Sequence, residues 1–174
     1  MKRGYFGIGI CEPKTEANYE MLFRSAHWLD ASFLFLINQR FKATHHDTTR
    51  AEKHMPLYEH ETVEGFLKSR PLDCKLISIE ITPNAVSLVN FVHPERAIYV
   101  LGREDGSIPQ DIIEQSSSVV KIPSTRCLNV SVAGSIVMYD RIAKEMRRAT
   151  RVLSKEEQFY AWETAKHYSE KEKA

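Results

Sequence analysis

The sequence predicts an α/β protein with a mostly parallel β-sheet flanked by helices. Short apolar runs recur along the chain, helical patterns separate them, and strand–turn–helix units repeat to the end. With 174 residues, 43% of them hydrophobic and 27% charged, the chain is long enough to bury one sizeable core. We expect one domain over residues 1–153, and then a C-terminal helix with a frayed charged tail over residues 154–174.

The composition argues against several classes of protein. No apolar run approaches the roughly 20 residues that a membrane span needs, so no membrane contact is expected. The N-terminal apolar run is short and ends at Glu12 and Pro13, which predicts a first strand rather than a signal peptide. The three cysteines, Cys11, Cys74 and Cys127, fit reduced thiols of a cytoplasmic protein. A net charge of +1 means that any nucleic-acid binding has to come from local patches.

The N-terminal half predicts three strands and two helices. The second apolar run shows no polar alternation, which is typical of a strand covered on both faces. Turn residues, beginning with Glu12 and Pro13, separate the first strand from the first helix. The strands are expected at residues 5–10, 32–37 and 57–60, and the helices at residues 16–29 and 63–69.

A basic segment, residues 38–54, follows the second predicted strand. It holds four Lys or Arg residues, three His and two acids. His45 and His46 do not predict a metal site, because adjacent histidines rarely chelate one ion and no cysteine lies nearby. The segment is either a solvated loop or a cationic loop that grips phosphates.

The C-terminal half continues the alternation of strands and helices. Strands are expected at residues 74–81, 97–101 and 119–122, with a connection at residues 84–92. The first of these strands carries Ile79 and Glu80 to the carboxyl edge of the sheet, where open α/β folds bind ligands. Ser107 and Gln110 form a capping-box pattern around Pro109, so a helix is expected to begin there.

Residues 121–140 carry the most informative pattern of the chain. A strand breaks at Pro123, a polar loop follows, and a helical pattern begins at Asn129. Gly134 inside that helix costs about 1 kcal/mol relative to Ala, which indicates either tight helix packing or a backbone or ligand close by. One helix face is expected to be apolar, through Leu128, Val132, Ile136, Tyr139, Ala143 and Met146.

Three short motifs occur in a fixed order along the chain. The first is an Asn with an Arg six residues later, the second is a strand followed by Gly-x-Glu, and the third is Ile-Pro followed shortly by Leu-Asn. These are Asn18 with Arg24, Gly102 with Glu104, and Ile122-Pro123 with Cys127-Leu128-Asn129. In this order and spacing they resemble the motifs of the SpoU/TrmH branch of the SPOUT RNA methyltransferases, over about residues 5 to 148.

The resemblance implies an activity, a cofactor and an assembly. It implies transfer of a methyl group from S-adenosylmethionine to a ribose 2′-hydroxyl of RNA, with S-adenosylhomocysteine as the product and no metal. It also implies a cytoplasmic homodimer and a deep trefoil knot in the C-terminal third. Transfer RNA is favoured as the substrate over ribosomal RNA, and the chain is close to a bare catalytic domain.

The resemblance also implies site residues. The cofactor would be held by Ile79, Leu101, Gly102, Ile122, Cys127, Leu128 and Asn129. The catalytic residues would be Arg24, Glu104 and Asn129. The resemblance places Asn18 and Arg24 at the RNA, and the basic segment, if it grips phosphates, would add Arg40, Lys42 and Arg50 to the RNA contacts.

Arg24 is expected to act by orientation and electrostatics. A guanidinium with a pKa above about 12 is a poor base, so it would orient the ribose or a phosphate and stabilise negative charge developing on oxygen.

A second group of cations recurs every three or four residues near the chain end: Arg141, Lys144, Arg148 and Arg151. That group is either a solvated helix face or a face toward RNA.

The sequence departs from the family pattern at three positions. Glu20 stands where the family has Gly, Ser107 stands where it has a second Gly, and Cys127 stands where it has Ser. These departures leave open a non-catalytic RNA-binding relative. An unrelated doubly wound protein that binds another nucleotide is the second alternative. Against it, the sequence holds neither a G-x-G-x-x-G fingerprint nor a P-loop.

Overall fold

Seven parallel strands form one sheet in the computed structural model, which describes residues 4–40, 53–103 and 105–149. The strands are β1 (Tyr5–Cys11), β2 (Phe33–Ile37), β3 (Leu57–His60), β4 (Lys75–Ile79), β5 (Val86–Ser87), β6 (Arg96–Leu101) and β7 (Ser118–Lys121). Their order in the sheet is β3-β2-β1-β6-β4-β7-β5, and all pairings are parallel. The predicted fold class is therefore confirmed.

Helices cover both faces of this sheet. They are α1 (Glu16–Trp28), α2 (Val63–Ser69), α3 (Gln110–Gln115) and α4 (Val130–Ala149), and a 3-10 turn spans Leu88–Asn90. One buried cluster unites α1 and α4 with side chains such as Ile8 and Ile10 of β1. The other unites α2 and α3 with Phe33 and Phe35 of β2. Both faces are apolar, which explains why the strands read as continuous apolar runs.

Two glycines in the central strand make room for aromatic rings. In the parallel register, Gly7 of β1 pairs with Phe33 of β2, and Gly9 pairs with Phe35. A Cβ atom on either glycine would collide with the ring of its partner. The Gly-Ile-Gly sequence therefore belongs to strand packing.

The capping-box prediction for α3 is wrong. The helix begins at Gln110 with Pro109 in the cap position, and no side chain of the described residues caps it. The backbone amide of Ile108 instead donates a hydrogen bond to Oε2 of Glu80, at 3.0 Å. The carboxylate at the end of β4 thus holds the loop before α3, where the sequence pattern predicted a capping contact from Ser107 instead.

The inner face of α4 differs from the predicted apolar face. Val130, Gly134, Val137, Met138 and Arg141 are buried against the sheet. By contrast, the predicted face carries exposed side chains: Leu128, Val132, Ile136 and Tyr139. A Cβ on Gly134 would collide with Leu22 of α1 and lie 2.9 Å from Cδ1 of Leu101, so tight helix packing explains this glycine.

Arg141 corrects a second prediction about this helix. Its side chain is fully buried (0% exposed), so it belongs neither to a solvated face nor to a face toward RNA. Its guanidinium donates hydrogen bonds to the carbonyl oxygens of Pro94 and Glu95 and lies over the ring of Phe6. A buried cation is stable only with such partners.

The chain divides into two units, Lys2–Ile142 and a second unit that contains Ala143–Ala174 together with Met1. The sheet and its two clusters belong to the first unit. Of the second unit, the structure describes residues 143–149, which continue α4. The predicted C-terminal helix and tail, residues 154–174, and the predicted cation Arg151 lie outside the described residues.

Candidate functional site

A cavity of about 490 Å³ opens at the carboxyl ends of β4, β6 and β7. Its volume lies in the usual range of small-molecule sites. The structure brings together in its lining all seven residues predicted to hold a cofactor: Ile79, Leu101, Gly102, Ile122, Cys127, Leu128 and Asn129. Parallel strands end at one edge of the sheet, so residues far apart in sequence meet there. The binding role of these residues remains a prediction.

Gly102 keeps the cavity wall open where β6 ends. A Cβ built there would lie 3.2 Å from Cγ1 of Ile108 and 3.4 Å from Oε2 of Glu80. The first distance is tighter than ordinary van der Waals contact, so a side chain at this position would require Ile108 to shift by a few tenths of an ångström. Glycine therefore leaves backbone groups accessible at this point.

Asn129 joins the first and third motifs. Its Oδ1 accepts hydrogen bonds from the amide and the hydroxyl of Ser131, at 2.9 and 2.6 Å, and so caps the start of α4. Its Nδ2 donates to Oδ1 of Asn18 at 2.8 Å. Asn18 also lines the cavity. One side chain thus links two segments that are 111 residues apart in the chain.

Glu80 organises the opposite wall of the cavity. Its Oε1 accepts a hydrogen bond from the amide of Ile81 at 2.9 Å, and its Oε2 accepts the bond from Ile108. The sequence pattern places Glu80 at the sheet edge but predicts no function for it. The signal that could have found it was the position of a carboxylate directly after a buried strand.

The predicted catalytic and RNA-binding residues do not all meet in the cavity. Arg24 is exposed on α1 and is not part of the lining. Glu104, Lys42 and Arg50 lie outside the described residues. Arg40 is described, and it lies in an ionic cluster beside the cavity.

This cluster, the Asp105 cluster, consists of Glu12, Lys14, Arg40, Arg103 and Asp105. Asp105 is approached by three cations: NH2 of Arg40 at 2.8 Å, Nζ of Lys14 at 3.3 Å and Nε of Arg103 at 3.7 Å. NH1 of Arg103 also contacts Oε2 of Glu12 at 2.7 Å. The hydrogen bond from Arg40 and then that from Lys14 lower the pKa of Asp105 to about 2, so its carboxylate is ionised at neutral pH.

Two of the three departures from the family pattern, Ser107 and Cys127, also line the cavity. Cys127 is an exposed free thiol. The third departure, Glu20, is half-buried on α1. A thiol hydrogen-bonds more weakly than a hydroxyl, so Cys127 offers a ligand mainly its backbone groups.

An apolar surface, the α1–α4 surface, lies on the outside of these two helices. It consists of Met21 of α1 and Val132, Ile136 and Tyr139 of α4, and Met21 and Tyr139 are 56% and 66% exposed. These side chains line a shallow groove of about 330 Å³. Within it, the hydroxyl of Ser135 donates to that of Ser25 at 2.9 Å. Contiguous exposed apolar side chains are typical of a surface that binds another protein.

Two further classes of site have no counterpart within the described ranges. No group of three or more His, Cys, Asp or Glu side chains there is arranged to hold a metal ion. None of the helices in that part of the chain combines the length and the apolar character needed to cross a membrane.

Two curated relatives resemble part of the chain. The mouse protein named tRNA (guanosine(18)-2′-O)-methyltransferase TARBP1 is 27% identical over 107 residues, which are 58% of this chain and 7% of that protein. The Ancylobacter novellus protein named tRNA (cytidine(34)-2′-O)-methyltransferase is 28% identical over 82 residues, 45% of this chain and 52% of that protein. The chain thus spans about half or less of the length of these relatives.

Solved structures share the fold. The SpoU methyltransferase AviRb from Streptomyces viridochromogenes, solved in complex with AdoMet, superposes with a TM-score of 0.73 at 15% identity, covering 83% of this chain and 62% of that one. The A. aeolicus TrmH/SpoU tRNA modifying enzyme superposes with a TM-score of 0.72 at 17% identity, covering 94% and 90%.

The family model described as the SpoU rRNA Methylase family matches residues 6–139 of this chain. That span begins in β1 and ends in α4, and it includes the whole lining of the cavity. The three motifs that the sequence analysis singled out lie within it. Because the match covers most of the 174 residues, the chain belongs to the SpoU methylase family.

Proposed function

We propose that this protein is an RNA 2′-O-methyltransferase that uses S-adenosylmethionine. The single observation that carries the proposal is the cavity in which the second and third motifs meet beside Asn18 of the first. Two relatives named as tRNA 2′-O-methyltransferases support transfer RNA as the substrate. Ribosomal RNA is the second candidate, favoured by the description of the family model.

The residues of the cavity fit S-adenosylmethionine. Leu101, Ile122 and Leu128 offer apolar walls for the adenine, and the open backbone at Gly102 can approach the ligand. The AviRb structure with AdoMet supports this placement through its shared fold. When bound, the cofactor supplies a methyl group on a positively charged sulfur, and its transfer leaves S-adenosylhomocysteine.

The protein contributes orientation and electrostatics. Asn129, held by Asn18 and Ser131, is a fixed donor and acceptor at the cavity edge. Such fixed positioning of the reacting groups supplies several kcal/mol toward the barrier. Arg24 orients the ribose of the RNA and stabilises negative charge on the attacking 2′-oxygen as its proton leaves. Glu104 supports the site as a third catalytic residue, and Arg40, Lys42 and Arg50 contact the RNA.

Arg24 reaches a reacting ribose as part of a homodimer in this proposal. The residue lies three positions after Met21 on α1, and therefore neighbours the α1–α4 surface. A second copy bound to that surface would bring its own Arg24 toward the cavity of the first. The exposed apolar side chains of the α1–α4 surface support this assembly.

The homodimer can be tested at the centre of the α1–α4 surface. We expect Ile136→Glu to convert the protein to a monomer, because a buried unpaired carboxylate opposes association. The matched control is Leu72→Glu, at an 86% exposed leucine outside that surface, which should leave the assembly unchanged. Sedimentation velocity measures both. A monomeric parent protein would contradict the proposal.

Cofactor binding can be tested by isothermal titration with S-adenosylmethionine. We expect the parent protein to bind, and Asn129→Ala to bind at least about tenfold more weakly, because it loses the helix cap and the link to Asn18. Asn90→Ala, at an exposed asparagine outside the cavity, is the control. Transfer of labelled methyl groups to transfer RNA and to ribosomal RNA then distinguishes the substrates. A folded parent protein without affinity for the cofactor would favour a non-catalytic RNA-binding relative.

Two further properties belong to the proposal. Family membership supports a deep trefoil knot in the C-terminal third. The free thiols of Cys11, Cys74 and Cys127 support a cytoplasmic location, because the cytosol keeps thiols reduced.

A further inference from the structure

The Asp105 cluster places three cations around one exposed carboxylate. The cations come from three separate segments: Lys14 follows β1, Arg40 follows β2 and Arg103 follows β6. These strands are neighbours in the sheet, so their carboxyl ends bring the three side chains together. Arg103 also lines the cavity, which puts the cluster directly at the cavity edge.

Ion pairing alone gives a weak reason for this arrangement. Exposed salt bridges contribute roughly 0–1 kcal/mol each to stability. The side chains of Asp105, Lys14 and Arg103 are 43%, 59% and 37% exposed. A carboxylate at this place also repels the phosphates of any RNA bound to the neighbouring site. A gain in stability alone therefore does not explain why three cations surround this carboxylate.

The position of Arg40 depends on more than Asp105. Its Nε donates to the carbonyl of Glu12 at 3.1 Å, and its backbone amide donates to that of Pro13 at 3.2 Å. Asn38, two residues earlier, donates from Nδ2 to Oε1 of Glu12 at 3.2 Å. These bonds hold the segment after β2 against the turn after β1. The guanidinium would stay in place if the carboxylate of Asp105 moved away.

A phosphate matches the contacts that Asp105 now makes. Each carboxylate oxygen meets a different cation, with Oδ1 on Arg40 and Oδ2 on Lys14. Two non-bridging oxygens of a phosphodiester can bind an Arg and a Lys in the same way, through charge-assisted hydrogen bonds. Nε of Arg103 is buried and donates no hydrogen bond within the described part of the chain, and it lies 3.7 Å from Oδ1 of Asp105, so an anion in the place of that carboxylate would lie next to a further donor.

We infer that Lys14, Arg40 and Arg103 form a binding site for a backbone phosphate of the RNA substrate, and that Asp105 occupies this site as an internal anion until RNA displaces it. The inference rests on the proposed function for the identity of the ligand. It adds a positioning contact beside the cofactor cavity, at residues 14, 103 and 105, which the family motifs do not include. Asp105 would then weaken, by a similar factor, the binding of every RNA that places a phosphate in this site.

The decisive variant is Asp105→Asn, which keeps the size of the side chain and removes its charge. Affinity is measured by fluorescence anisotropy with unfractionated transfer RNA and with a 20-nucleotide oligouridylate, without S-adenosylmethionine. We expect Asp105→Asn to bind both RNAs roughly threefold more tightly, because the internal competitor is lost. The control is Glu64→Gln, which makes the same charge change at an exposed ion pair with Lys68 on α2 and should leave RNA affinity unchanged.

A second variant shows whether the gain comes from this site. Arg40→Gln should weaken RNA binding and reduce the slope of log affinity against log salt by about one. In the Arg40→Gln background, Asp105→Asn should no longer tighten binding, because one of the two close cations is gone. Independent, additive effects of the two changes would contradict a shared phosphate site.

The remaining outcomes also decide the question. Weaker RNA binding by Asp105→Asn together with a lower melting temperature would overturn the inference and make Asp105 a structural loop residue. Absence of binding to either RNA by the folded parent protein would overturn it as well. Because the assay needs neither cofactor nor turnover, a protein that binds RNA through this site but transfers no methyl group would separate this inference from the proposed function.

Discussion

Two polar clusters of this protein both contain arginine, yet they differ in burial. The buried cluster consists of His93, Tyr99, Asp140 and Arg141, on the inner side of α4. The Asp105 cluster lies at the carboxyl edge of the sheet and is partly exposed. Both clusters combine arginine with acidic side chains. In the sequence, neither cluster can be told apart from the charged residues of an ordinary protein surface.

The buried cluster is closed by short hydrogen bonds. Nδ1 of His93 meets the hydroxyl of Tyr99 at 2.6 Å, and Nε2 meets Oδ2 of Asp140 at 2.9 Å. NH1 of Arg141 reaches the same hydroxyl at 3.1 Å. Low local polarity makes each such bond costly to remove. The side chains of the Asp105 cluster are instead partly exposed, so a charged ligand can reach them. Burial decides which arginine stabilises the fold and which one can bind.

The largest effect is expected when the cation of the buried cluster is removed. Arg141→Met should lower the free energy of unfolding by about 3 kcal/mol or more, because buried carbonyls and the hydroxyl of Tyr99 lose their donors. Arg40→Met should lower it by at most about 1 kcal/mol. Urea unfolding followed by circular dichroism measures both. Equal losses in the two variants would break the comparison.

A smaller effect is expected from the hydroxyl shared within the buried cluster. Tyr99→Phe should lower the free energy of unfolding by about 1–3 kcal/mol, since it leaves His93 and Arg141 with one partner fewer. Tyr58→Phe is the control, at an exposed tyrosine of β3, and should change little. The same urea titration applies. A loss as large as that of Arg141→Met would mean that the cluster acts as one unit.

The smallest effect is expected from acid titration of the Asp105 cluster. The pKa of Asp105 is lowered to about 2 from 3.8, so its contribution to stability is present above pH 4 and is lost as the pH falls toward 2. The difference in melting temperature between the parent protein and Asp105→Asn should therefore shrink between pH 4 and pH 2.5. Differential scanning calorimetry at several pH values measures it. A difference that grows as the pH falls would contradict the prediction, because the pKa of Asp105 would then have to be higher in the folded than in the unfolded protein.

Local pattern predicted most of the elements well, although β5 lies where only a connection was expected. Strands β1, β2, β3, β6 and β7 and helices α1 and α2 begin and end within one residue of the expected bounds, while β4 is two residues shorter at its end. Apolar runs and turn residues are local signals, so they do not depend on the fold. The motif residues came from the family resemblance, and Ile79, Gly102 and Ile122 line one cavity because parallel strands end at the same edge of the sheet; their binding role stays a prediction.

Two predictions failed where the outcome depended on neighbours in space, and a third left open which side of a helix meets the sheet. The periodicity of α4 identified an apolar face correctly, but the residues that meet the sheet include Gly134 and Arg141 instead. Ser107 does not cap α3, because Glu80 from another strand accepts the hydrogen bond from the preceding loop. Arg141 was grouped with surface cations because no local signal marks the carbonyls that surround it.

The sequence by itself determined the fold class, the order of the elements and the three motifs, because hydrophobic period, turn residues and motif spacing are properties of the chain alone. Only the tertiary structure decided which face of α4 is outside, that Asn18 and Asn129 are joined, and that three cations converge on Asp105. Those facts depend on distances between segments that are far apart in the sequence. The chemistry of each arginine is set by its burial and by the charged groups around it, and both are fixed only when those segments pack together.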